Sequence, residues 1–274
     1  MAMPPIDPVL IAELLVLGCA TGFLAGLLGI GGGMLMVPFI TAIVSNRGVA
    51  PALAVKVAIA TSMATILFTS LSSVRAHHRR GAVRWDLVAT LAPGIVAMSL
   101  ITGAFIFPLV KGVTLALFFA LFVSYSATQM LIDKKPKPSR QLPGTPGRLA
   151  AGGAIGMLSG LVGAGGGFVS VPFMTWCNVP IHSAIATSAA LGFPIALAST
   201  AGNLIGGRSL AAPLPGAFGY LYLPALVLIS LTSVLMAPVG ARAAHALDVR
   251  QLKRVFALLL YVLAAYMLYK GLAG

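Results

Sequence analysis

An all-α integral membrane protein is the fold this sequence predicts: two inverted structural repeats of about five helical segments each, with short glycine-hinged segments. Composition, the spacing of apolar runs and an internal duplication predict it. Of 274 residues, 59% are hydrophobic and 8% are charged, and the mean hydropathy is +1.01. A soluble domain carries roughly a quarter of its residues as Asp, Glu, Lys or Arg. This chain cannot cover a water-facing surface, and disorder would need low hydrophobicity. A membrane-embedded bundle remains. The net charge of +13 would point to nucleic acid in a soluble protein; its meaning here depends on where the charges fall.

A helix crossing the hydrocarbon needs about 20 mostly apolar residues. Seven runs meet that length: 9–28, 52–72, 85–107, 113–132, 181–205, 220–241 and 249–272. Three shorter apolar pieces lie at 34–45, 149–162 and 168–176. Between the halves, residues 133–148 carry the run KKPKPSRQLPGTPGR, polar and rich in proline, and read as a solvated linker. The division is therefore 1–132 for the first membrane repeat, 133–148 for a cytoplasmic linker and 149–274 for the second repeat. No Lys or Arg precedes the first apolar run, so that run is expected to stay as a membrane helix rather than act as a signal peptide.

The duplication is direct. Gly22 to Phe39 (GFLAGLLGIGGGMLMVPF) aligns without a gap on Gly156 to Phe173 (GMLSGLVGAGGGFVSVPF), with eleven of 18 positions identical. Ala58-Ile-Ala-Thr-Ser62 recurs as Ala184-Ile-Ala-Thr-Ser188, and Phe119-Ala-Leu recurs as Phe256-Ala-Leu. Three matches in the same order make a repeat.

Thirteen of the 18 basic residues occupy three stretches: 75–84, 134–148 and 242–254. Short cytoplasmic loops collect Lys and Arg. With all three stretches inside, each half crosses the membrane an odd number of times, so the repeats are inverted and both termini lie outside. Inverted repeats are frequent in secondary transporters. The parity holds whether both members of each hairpin (9–28 with 34–45, and its repeat) cross or the pair re-enters. The charge thus reads as orientation and contact with membrane lipids, not nucleic acid.

Gly31, Gly32 and Gly33, and their repeat Gly165, Gly166 and Gly167, each stand before a short apolar helix that begins at Met34 or Phe168. Glycine lets the backbone turn and approach a ligand closely. The first N–H groups of the next helix lack partners and lie at the positive end of its dipole. This is an anion seat that needs no charged side chain. Close helix packing explains the upstream rows Gly18, Gly22, Gly26, Gly29 and Gly152, Gly156, Gly160, Gly163; for the triplets, packing and ligand binding both remain open. Thr61 and Ser62, with Thr187 and Ser188, place hydroxyls within their helices, either for an oxyanion or for a neighbouring carbonyl. Lys56 and its repeat counterpart His182 offer anion access at the outer mouth, although a lysine so near a helix start also snorkels. Asn203 and Arg208 could line a pore or cap a helix. Only Glu13 is a candidate for a buried coupling acid, and it lies close to a helix end. No paired carboxylates, activated nucleophile, metal-ligand spacing or nucleotide-phosphate motif occurs in the sequence, so no cofactor, metal or catalytic residue is expected.

These glycine elements and the Ala-Thr-Ser pairs, with Ser72 to Trp85 (SSVRAHHRRGAVRW), resemble the sulfite exporter TauE/SafE family of membrane permeases over nearly the whole chain, from about Val9 to Leu272. The resemblance implies transport of a small sulfur oxyanion, organosulfur compound or carboxylate. An interior-negative cell expels an anion without a coupling ion, which suits export. A channel-like facilitator and a non-transporting assembly factor are the alternatives. The sequence leaves the oligomeric state open.

Overall fold

The computed structural model describes residues 7–28, 32–79, 81–132, 141–210, 215–243 and 249–272. Gly31 and residues 133–140 of the linker lie outside them. The helices are α1 (Pro8–Leu28), α2 (Gly33–Asn46), α3 (Pro51–Arg79), α4 (Trp85–Leu109), α5 (Gly112–Ile132), α6 (Thr145–Val162), α7 (Gly167–Trp176), α8 (Ile181–Gly207), α9 (Leu223–Ala243) and α10 (Val249–Leu272). A two-residue antiparallel ribbon, β1 (Ala217–Phe218) with β2 (Leu221–Tyr222), precedes α9. Seven of the described helices are long and apolar enough to cross a membrane.

The expected segments are all present, with shifted ends. The helix of α3 runs on to Arg79, where His77, His78 and Arg79 lie in its last turn and suit the negative end of the dipole. Helix α6 starts at Thr145, inside the stretch read as linker, with Pro146 in its first turn where a missing N–H costs nothing. The run beginning at Tyr220 enters its helix only at Leu223, because β2 occupies its first residues.

The second helix of each half is short. At 1.5 Å per residue, α2 is about 21 Å long and α7 about 15 Å, too short for a 30 Å crossing. The first of them, α2, returns toward the start of α1. At the open end of the first hairpin, Arg47 pairs with Asp7 (3.5 Å) and with Glu13 (2.9 Å). Glu13 is therefore a half-exposed, paired acid rather than a buried one.

Glycine rows set the helix packing. A Cβ on Gly18 or Gly22 of α1 would strike α9 at Thr232 and Ser233. A Cβ on Gly152 would strike Leu91 O of α4, and one on Gly156 would sit 2.6 Å from Ile95 O. Both pairs step forward together along the chain, so α1 runs parallel to α9 and α4 parallel to α6. Helix 1 of each half thus packs on helix 4 of the other. The same rule places Gly202 of α8 against Leu100 and Ala104, and Gly206 against Gly103 and Pro108, which makes α8 parallel to α4. The repeated helices α3 and α8 run in opposite directions: Ser70 meets Gly192, while the start of α8 lies beyond the end of α3 beside Arg84.

Within α4 the helix widens into a π turn over Thr102–Ile106. Pro108 brings no N–H for the Ala104 carbonyl, and Phe107 N–H instead reaches Thr102 O.

Candidate functional site

The duplicated elements meet at α3. Gly33, at the start of α2, lies where a Cβ would be 2.6 Å from Gly163 O and 3.2 Å from Ala164 Cα, so one glycine turn rests directly on the other. Buried Ser62 donates to both, at 3.0 Å to Gly163 O and 3.4 Å to Gly33 O. The sequence reading allowed Ser62 an oxyanion or a carbonyl; its hydrogen goes to carbonyls.

Different forces hold the individual glycines. Gly163 and Gly166 have φ of +75° and +78°, a left-handed backbone that a side chain would strain. Gly33 is fixed by close approach, whereas Gly32 is only tightly packed against Thr21 O (3.0 Å). Gly165 has room: a Cβ there would make ordinary contact with Ile66, at 3.4 Å. In α2 the first N–H groups bonded back into the helix are those of Leu35 and Met36, to Gly32 O; in α7 they are those of Val169 and Ser170, to Gly166 O. The N–H groups of Gly33, Met34, Gly167 and Phe168 therefore precede any intrahelical acceptor, as at every helix start. The side chain of Met34 is buried in the core, and Phe168 is half-buried against it.

Thr61 and Thr187 do something neither local reading anticipates. Thr61 Oγ1 accepts the N–H of Tyr222, the residue before α9, at 3.0 Å. Thr187 Oγ1 accepts the N–H of Arg84, the residue before α4, also at 3.0 Å. Each threonine ties its helix to the start of helix 4 of the other half, and the two ties lie toward opposite ends of the α3–α8 pair. Ser188 accepts from Ser170 at 2.7 Å, a bond within the second half.

Lys56 is partly buried. Its Nζ donates to Pro108 O at 2.8 Å and lies 5.6 Å from the Tyr220 ring centroid and 5.9 Å from that of Phe107. It closes the carbonyl end of α4, where a cation is favoured. His182 is exposed at the start of α8, and Arg208 is exposed at that helix's end.

A group of polar residues lies elsewhere. Ser99 and Thr102 of α4, Ser159 of α6, and Ser199 and Asn203 of α8 are each at most 2% exposed, and their side-chain polar atoms have no hydrogen-bond partner. Asn203, a candidate for lining a pore or capping a helix, is interior, and its side chain makes no capping hydrogen bond. The four hydroxyls carry little signal in the sequence, because isolated Ser and Thr in apolar runs usually bond their own backbone. The one local signal is Thr102-Gly103 shortly before Pro108, which marks an irregular turn.

A bundle of membrane-length helices, with polar groups gathered inside it where two repeated halves interlock, has the architecture of a membrane transporter. The profile of the Sulfite exporter TauE/SafE family matches residues 14–267, and the chain belongs to that family. It is 37% identical over 257 residues to a probable membrane transporter protein of Haemophilus influenzae, covering 93% of this chain and 97% of that one. It is 26% identical over 266 residues to a probable membrane transporter protein of Methanocaldococcus jannaschii, covering 94% and 96%. A probable membrane transporter protein of Bacillus subtilis, YunE, is 27% identical over 217 residues, covering 71% and 78%. No solved structure matches the chain. The protein is a multi-pass membrane transporter, not an enzyme.

Proposed function

We propose that the protein is a secondary transporter of the inner membrane that exports a small anion, such as sulfite or an organosulfur or carboxylate compound, through a site between its two repeats. The observation that carries this reading is the meeting of the two glycine turns on Ser62 in the bundle interior. Irregular backbone at membrane depth is tolerated only where protein or a polar cavity surrounds it, and the first N–H groups of a helix, which have no intrahelical acceptor, suit an anion. The opposed directions of α3 and α8 support an inverted relation between the halves. With the basic stretches on the cytoplasmic face, each half crosses an odd number of times and both termini lie outside, whether its hairpin crosses or re-enters.

The direction follows from the membrane potential. One charge moved through 100 mV is worth about 2.3 kcal/mol, enough to expel an anion from an interior-negative cell without a coupling ion. The test is flux of sulfite and sulfoacetate from proteoliposomes with imposed potentials and pH gradients. Saturable efflux that accelerates with interior-negative potential and ignores the pH gradient is expected. Flux indifferent to potential, or strictly linear with concentration, would overturn the carrier reading.

A further inference from the structure

We infer that the three-helix seam between α4, α6 and α8 is the seat of the transported oxyanion, bound by uncharged donors; this rests on the anion-transport reading above. Of the eight described residues with buried, unpartnered side-chain polar atoms, five belong to this seam: Ser99, Thr102, Ser159, Ser199 and Asn203. Leaving so many groups without partners is costly unless something visits them.

The seam widens where they gather. At Gly152 and Gly156 a Cβ would run into the α4 backbone. At Gly160, one turn on, it would meet nothing closer than 3.5 Å, and its neighbours are Ser199 Oγ and the Thr102 methyl. Ser99 Oγ lies 2.7 Å from the Cβ position of Gly156, and Ser159 Oγ lies 3.2 Å from that of Gly166. Asn203 stands one turn beyond Ser199, and its backbone nitrogen is 2.9 Å from the Cβ position of Gly103, the neighbour of Thr102. The group therefore extends from the glycine turn before α7 to the π turn of α4.

Its chemistry selects an acceptor-rich guest. Other helix hydroxyls donate to the carbonyl four residues back, as Thr41 does to Val37 O, Thr65 to Thr61 O and Thr128 to Ser124 O. The four seam hydroxyls make no such bond. Their hydrogens and the Asn203 amide remain available to oxygens that bring no hydrogen of their own: a sulfite, sulfonate or carboxylate group. The N-terminus of α7 adjoins Ser159, and the Lys56 ammonium closes the end of α4 six residues from Thr102. The first places positive partial charge beside the seam, and the second offsets the negative end of α4. π turns of this kind recur at functional sites.

The test uses the full-length protein, with sulfite, sulfoacetate and acetate as probes and chloride as the comparison. Thermal shift in detergent reads binding, and proteoliposomes read flux. Thr102→Val, Ser199→Ala and Asn203→Leu remove the polar atoms. Each is expected to raise the half-saturating probe concentration at least tenfold while the unliganded melting temperature holds or rises. Thr102→Ser, which keeps the hydroxyl, restores the response. Ser233→Ala in the opposite seam lowers the melting temperature and leaves probe binding unchanged. If the wild type binds and transports a probe and the seam variants do so equally well, the seam is not the seat although transport stands. Probe binding that the seam variants abolish, without flux in the wild type, upholds the seam and refutes transport. A wild type that neither binds nor carries any probe refutes both.

Discussion

Two seams of this molecule are built to one plan and finished differently. In the first, α1 packs on α9 through Gly18 and Gly22; in the second, α6 packs on α4 through Gly152 and Gly156. The contacts correspond step for step: Gly18 faces Ile229 where Gly152 faces Leu91, and Gly22 faces Ser233 where Gly156 faces Ile95. At its glycine contacts the first seam satisfies its hydroxyls, although Ser230 elsewhere on α9 has no partner. Thr21 and Ser233 lie 3.2 Å apart, Thr21 donates to Leu17 O at 2.8 Å, and Ser233 donates to Gly18 O at 2.9 Å. The second seam has Ile155 and Ile95 at those positions and carries Ser99, Thr102 and Ser159 without partners instead. At the matching places the first seam has Ala237, Gly240 and Ala25, none with a side-chain oxygen. Backbone packing is alike in the two seams and polar satisfaction is not, and that difference is what the inferred seat rests on.

The sharpest way to break the comparison is to fill the glycines. Gly22→Val and Gly156→Val force a side chain into a neighbouring backbone and should each cost about 3 kcal/mol or more, read as lost monodisperse protein or a collapsed melting temperature. Unequal losses would show that the seams do not share a packing role.

The threonine ties come next. Thr61→Val strands the N–H of buried Tyr222 and should cost about 2 kcal/mol. Thr187→Val should cost clearly less, because Arg84 is exposed and water can replace the bond. Thermal unfolding of the two variants checks the order, and a reversed order would argue against the ties.

Lys56→Met removes the bond to Pro108 O and two ring contacts, and a loss of about 1 kcal/mol is expected. A double-mutant cycle on Thr21→Val and Ser233→Ala should return a coupling of about 0.6 kcal/mol, the usual size between membrane helices. The smallest effect is expected at Gly160→Ala, which meets only ordinary contacts and should shift stability by less than about 0.5 kcal/mol. The same change should weaken probe binding, because its methyl group enters the seam. Destabilisation as large as at Gly156 would remove the distinction between a packed stretch and an open one.

Much of this was legible along the chain. The Gly22–Phe39 and Gly156–Phe173 match located both hairpins, and the glycine rows located both seams. The Ala-Thr-Ser repeat marked helices that cross-tie the halves. The role of its threonines was not legible, since the N–H groups they accept belong to Arg84 and Tyr222, over 100 and 160 residues away. Nor could the glycine triplets be sorted by reading. Gly166 is required by its backbone angle, Gly33 by a close approach from the other half, and Gly165 by neither.

By itself the sequence determined the membrane class, the ten helical segments and the duplication. Those depend on hydropathy, run length and self-similarity, which are properties of the chain read in one dimension. Tertiary structure alone decided which hydroxyls are satisfied. A glycine row says that two backbones approach, but not where they part again. That point depends on the crossing of three helices and on the π turn before Pro108. Near Gly160 the helices part to ordinary van der Waals contact, and the unpartnered donors gather around that point.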